Sequence, residues 1–216
     1  MNILKNNLFI FLALFFLMFI SCDYSGTAPN SVSMEAIRLD SIAQLYHKGN
    51  VKSCFIEGLI FAEDFPENDK GWHILSSAAL KLKKDSLAEI FANNAIILNP
   101  KNHIALLNLG ILLDKKDNYE EAQEFYEKSL EISPSFLQTY SNYAGNRLLA
   151  GDYDVAVKLG KKAVLLGNNI EDKAILCMTY HEMNNFNERD SLLNELRMLD
   201  YKNLEELKNY FKSDQP

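Results

Sequence analysis

No histidine of this chain stands four residues from another. The four, His47, His73, His103 and His181, therefore do not form the paired ligands that one helical face offers to zinc. The stretch His181-Glu182-Met183-Asn184-Asn185 begins like a zinc-protease motif, but Asn185 occupies the place of the second histidine. Also missing are the Gly-x-Ser-x-Gly nucleophile turn, a phosphate-binding loop and a calcium loop built on alternating aspartates. Adjacent carboxylates such as Glu120 and Glu121 fall where a helix should begin, and there they suit the helix dipole rather than acid–base chemistry. With no catalytic, metal or cofactor pattern, a non-enzymatic protein is expected, with no cofactor and no small-molecule substrate. Basic residues are the scarcer charge, 22 against 29 acidic, for a formal net charge of −7. Such a chain repels phosphate backbones, so nucleic acid is not an expected partner.

Cysteine is scarce as well, and one of the three has an unusual setting. Cys22 closes the apolar run 8–20, thirteen residues without a charge that follow Lys5. A bilayer-spanning helix needs roughly 20 apolar residues. The shorter run fits the apolar core of a secretory signal with its cationic start. An uncleaved anchor and ordinary cleaved export are the other readings of such a run. The residues Phe19-Ile20-Ser21-Cys22 resemble the lipobox of bacterial lipoproteins, with Phe19 where leucine is usual. That resemblance implies a signal peptide over 1–21 and lipid attachment, palmitate included, at Cys22. It also implies a membrane-anchored protein of the bacterial cell envelope, on the periplasmic face of the outer membrane or on the cell surface, with the inner membrane possible. Stable anchoring takes more than one acyl chain, at about 0.8 kcal/mol per buried CH₂. Residues 22–33, with Gly26, Pro29 and small polar residues, read as a flexible tether. Cys54 and Cys177 are expected as buried, unpaired thiols.

Proline is rare, yet three of the five are evenly spaced. Pro66, Pro100 and Pro134 lie 34 residues apart. In that register Trp72, Leu106 and Tyr140 share a column, as do Leu75, Leu109 and Tyr143. Ala88, Ala122 and Ala156 form a third, and Ala95, Ser129 and Ala163 a fourth. Apolar residues recur at i, i+3 and i+4 within each half of the period, which marks one face of a helix. The small columns mark where two helices approach closely, because a larger side chain there would overpack. Asp117-Asn118 and Gly151-Asp152 break the helix mid-period, and each proline stops the second helix.

A 34-residue period with these columns resembles the tetratricopeptide repeat (TPR), a helix–turn–helix unit. The resemblance implies an all-α fold, a right-handed α-solenoid of about five repeats spanning the domain 34–216. The repeats are placed at about 35–68, 69–102, 103–136, 137–170 and 171–202. The last is degenerate, with Phe186 for the turn tyrosine and Arg189 in the alanine column. Residues 203–212 read as a capping helix, with Asn203 as its cap and Leu204, Leu207 and Phe211 on one stripe.

The family register also implies which positions face the concave groove. They include Leu39, Tyr46, His73, Leu80, Leu107, Ile111, Leu148, Leu149, Ile175 and Met183. Lys70, Lys81, Asp114 and Lys115 fall on the same positions, so the cations gather at one end. Groove side chains are expected to touch little besides solvent or ligand. The lysine–asparagine clamp for a partner's C-terminal carboxylate is absent, with Gly145 and Leu149 where later cations would stand. An apolar groove suits an amphipathic helix or peptide segment of a partner protein. The function implied is protein–protein interaction by an envelope scaffold or adaptor. A helper subunit of an assembly, secretion or uptake complex, or a regulator of a cell-wall enzyme, is the alternative.

Overall fold

The structure is a computed structural model that describes residues 33–213. The signal, Cys22 and most of the tether lie outside the described residues. Contacts divide the chain into Met1–Ile37 and Arg38–Pro216. Of the first unit, residues 33–37 are described, and Met34 to Ile37 begin helix α1. The repeats pack within the second.

Eleven helices and no strand occur among the described residues. They are α1 (Met34–His47), α2 (Val51–Asp64), α3 (Asp69–Lys81), α4 (Asp85–Leu98), α5 (His103–Asp114), α6 (Tyr119–Ile132), α7 (Leu137–Leu149), α8 (Tyr153–Gly167), α9 (Ile170–Glu182), α10 (Phe186–Met198) and α11 (Leu204–Ser213). Each odd helix from α3 to α9 packs on the even helix that follows it, and each even helix from α2 to α8 packs on the next odd one. The odd helices α3, α5, α7 and α9 also touch their neighbours directly, so they form a continuous inner row.

The turns inside the repeats are copies of one another. Gly49, Lys83, Asp117, Gly151 and Asn184 all adopt positive φ, between 55° and 80°. Behind each, the next amide donates to a carbonyl five residues back, as in Asn50 to Leu45, Lys84 to Ala79 and Asn118 to Leu113, at 2.9–3.0 Å. This is the left-handed residue and 6→1 bond of a Schellman helix end. Glycine takes that conformation at no steric cost and supplies it at 49 and 151. The last interval is 33 residues instead of 34, matching the missing turn residue of the fifth unit.

Small columns bring the helices together. Ala88, Ala122 and Ala156 are fully buried, and so are Ala95, Ser129 and Ala163. Cys54 takes the same kind of place in the first repeat, and Cys177 is fully buried on α9. Both are free thiols, and burial pushes them up, Cys177 to about 12. The Trp72 ring nitrogen donates to the Pro66 carbonyl at 2.8 Å, and the Tyr140 hydroxyl does the same to Pro134 at 3.1 Å. One column thereby ties two of the three proline turns to the helix after them, Leu106 having no donor for Pro100.

The fifth unit closes on α11. Leu207 and Phe211 are buried with Ala174, Cys177 and Leu196. Arg189 fits the alanine column by lying against rings, 4.6 Å from Phe186 and 5.4 Å from Phe211. Its long stem covers apolar surface while the guanidinium bonds His181 and Asp190.

Candidate partner-binding groove

The inner row of odd helices lines an open cavity of about 480 Å³. Its floor is apolar: Ile74 and Leu80 from α3, Ile104, Leu107 and Ile111 from α5, and Phe136 from the α6–α7 turn. Ala43, Tyr46 and His47 close it from α1, and Gln138 and Asn142 from α7. Lys81 and Lys115, at the ends of α3 and α5, stand on one edge.

A polar cluster holds the α3–α5 wall. Asn102 caps α5, its side-chain oxygen accepting from the Ala105 amide at 3.0 Å. That bond fixes the amide orientation, so Asn102 Nδ2 donates to Asp69 Oδ2 at 2.7 Å and to His73 Nδ1 at 2.8 Å. A histidine that accepts at Nδ1 carries its proton on Nε2. Burial pushes His73 down to about 4, and the Asp69 carboxylate offsets only part of this. His73 is therefore a neutral ring at pH 7. Deeper in, Asn108 Nδ2 donates to Ser77 Oγ at 2.9 Å, joining α5 to α3.

Behind the far end lies a second network. Asp114, next to Lys115, accepts from Asn146 Nδ2 at 2.6 Å and from the Tyr126 hydroxyl. Arg147 Nε donates to Asn146 Oδ1 at 2.6 Å, and its NH2 group donates to the Tyr119 carbonyl at 2.8 Å. Desolvation raises the Asp114 carboxyl above its ordinary value, against hydrogen bonds and Arg147, which act to lower it. The network knits α5, α6 and α7 together.

Of the ten groove positions expected from sequence, five line the cavity: Tyr46, His73, Leu80, Leu107 and Ile111. Leu39 packs in the core beneath it with Ile42 and Phe61. Leu148, Leu149, Ile175 and Met183 lie on or at the ends of α7 and α9 and do not line it, and Leu149 is 63 % exposed. Leu107 corrects the expectation that groove side chains touch little. It is 5 % exposed and belongs to one buried cluster with Ala122, Tyr126 and Tyr143, whose two tyrosine rings stack on each other. Phe136 and Ile74 were not anticipated from sequence. Phe136 falls in the column of the helix-capping Asn68 and Asn102, and that break in the column was the available signal. The ring replaces a cap and stands edge-on to His103, 4.7 Å away.

Among the described residues no helix is long and apolar enough to cross a membrane, and no cluster of metal-ligating side chains occurs. The sequence model of one family, described as tetratricopeptide repeat, matches residues 103–136. The fold is a tetratricopeptide-repeat solenoid. No curated protein matches the chain in sequence. Solved TPR structures resemble it at low identity. TTC0263, a thermophilic TPR protein of Thermus thermophilus, is 18% identical, with a TM-score of 0.66 over 83% of this chain and 97% of that one. The pilF protein of Pseudomonas aeruginosa is 14% identical, with a TM-score of 0.65 over 76% of this chain and 75% of that one. YrrB, a TPR protein with an unusual peptide-binding site, is 11% identical, with a TM-score of 0.59 over 80% and 90%. TPR solenoids are scaffolds of protein–protein interaction.

Proposed function

We propose that this TPR solenoid is a lipid-anchored adaptor of a bacterial cell envelope. It takes a helix or peptide segment of a partner protein into the cavity between α1 and α7. The observation that carries the reading is the apolar floor of a roughly 480 Å³ concavity, open to a ligand and built by the inner row of helices. Concave, mostly apolar surfaces with a few placed polar groups are what binding segments use. The sequence Ser21-Cys22 behind a thirteen-residue apolar run supports the anchor.

Two substitutions separate groove from anchor. Ile111 is half-buried on the cavity floor, so Ile111→Glu adds a charge where a partner's apolar face would rest. Partners cross-linked to the full chain in membranes should be lost, by more than about 1 kcal/mol of binding, with the melting temperature nearly kept. Partners retained at parental yield would overturn the groove reading. Cys22→Ser should move the whole protein from the membrane pellet to the soluble fraction, and an unchanged pellet would overturn the anchor.

A further inference from the structure

The cavity is at odds with the charge of the chain that forms it. The protein carries 29 acidic residues against 22 basic, yet none of the cavity's sixteen lining residues is an aspartate or glutamate. Its charges are Lys81 and Lys115, and these stand one repeat apart, with His47 one repeat before them. All three lie at the C-terminal ends of consecutive odd helices, so they form a row along one edge of the concavity.

The row stops where the cavity stops. In the next two repeats the same position holds Leu149 and Met183, neither of which lines it. A basic residue at a helix C-terminus offsets the helix dipole. On α7 and α9 that benefit is supplied by Arg147 and His181, which do not line the cavity, so the dipole alone does not place the lysines at this position.

Both lysines are available to a partner. Lys81 pairs with no carboxylate among the described residues; its ammonium sits 4.4 Å from the centre of the Tyr46 ring. Lys115 bonds Asp85 at 2.5 Å, but both side chains are about 40–47% exposed. Exposed pairs of this kind contribute little net stability, so a partner carboxylate can replace Asp85.

From this we infer that the occupant of the groove is an acidic amphipathic helix, its apolar face on the floor and its carboxylates along the Lys81–Lys115 edge. The inference rests on the reading of the cavity as a partner groove and names the partner's chemistry. Packed helices lie about 8–10 Å apart, so the ends of α3 and α5 that carry the two lysines are separated by about that interval. At 1.5 Å per residue, side chains seven apart on a helix are separated by about 10.5 Å. Acidic residues at i and i+7, beside an apolar stripe at i+1, i+4, i+5 and i+8, would therefore meet both cations at once.

The test is a displayed library of helical peptides, randomised outside an apolar stripe and selected on the full chain. Winning peptides should carry Asp or Glu seven residues apart. Their affinity should fall at least about tenfold for the double variant K81E/K115E and weaken as salt is raised, while that variant melts like the parent. Winners without acidic residues that nevertheless lose affinity for Ile111→Glu would overturn this inference and leave the groove reading standing. A library yielding no binder sensitive to Ile111→Glu would overturn both.

Discussion

Asp114→Ala is expected to destabilise the protein by about 3 kcal/mol, the cost of leaving buried donors without their acceptor. Tyr126 is fully buried, and its hydroxyl donates to Asp114. Arg147 is 5 % exposed and Asn146 1 %, so neither can turn to water for compensation. Removing the carboxylate orphans the tyrosine hydroxyl outright and takes the nearby anion from a buried guanidinium. Asn146 and Arg147 keep their bonds to the Tyr119 carbonyl, which holds the loss below that of a fully severed ion pair.

Two milder variants order the effect. Asp114→Asn keeps one acceptor and loses the charge, so it should fall between alanine and parent. Tyr126→Phe removes the donor instead of orphaning it, and should cost only about 0.5–1.5 kcal/mol. Urea unfolding of the three variants reads the series, and a loss for Asp114→Ala no larger than that for Tyr126→Phe would refute it. The loss should be felt mainly in the third and fourth repeats, since repeat arrays couple through nearest neighbours. One period earlier, the positions of Asp114, Tyr126, Asn146 and Arg147 hold Leu80, Ala92, Leu112 and Leu113. The polar layer therefore replaces an apolar one at the junction that forms the cavity's far wall.

The columns of small and large residues were readable because every repeat solves the same packing problem, and Ala88, Ala122 and Ala156 are buried as that logic requires. The shared turn conformation was readable only in part. Gly49 and Gly151 announce a left-handed residue and Asp117 and Asn184 tolerate it, whereas Lys83 adopts it under the pull of the 6→1 bond, against its own preference. The cavity was legible to the extent that repeat position gives the direction of a side chain. Depth is another matter. Leu107 points inward as its position implies, but it belongs to one buried cluster with Tyr126 and Tyr143 from two other helices. The Asp114 network joins residues from three helices, and taken singly each of its charges looks like a solvated helix end. Phe136 sits in a turn, outside the reach of helical periodicity altogether.

Acidification should destabilise the protein through His73, by about 2 kcal/mol between pH 7 and pH 5. The ring titrates at about 4 in the fold and near 6.5 when unfolded. A depressed value means that the unfolded chain binds the proton first. The contribution is therefore complete above pH 6.5, shrinks as pH falls through the window, and is gone below about 4. Burial is the leading cause. Geometry reinforces it, because a proton on Nδ1 would face the Asn102 N–H group, and turning that amide would forfeit the α5 cap at Ala105. The other charged groups around the ring are Asp69, which opposes the shift, and Lys70 and His103, which favour it. His103 is itself lowered by burial and adds in the same direction. Asp114 and Asp172 are raised by burial and act oppositely, gaining stability as pH falls through the range above 3.8. His73→Gln isolates the histidine from these, since its side-chain oxygen can still accept from Asn102. Between pH 7 and pH 5 the urea midpoint should fall further for the parent than for the variant, by the equivalent of that same ~2 kcal/mol. Equal falls would show that the ring does not govern the acid response. At pH 5 the folded His73 ring is still mostly neutral, so its part in the acid response is a loss of stability and not a charge gained in the groove.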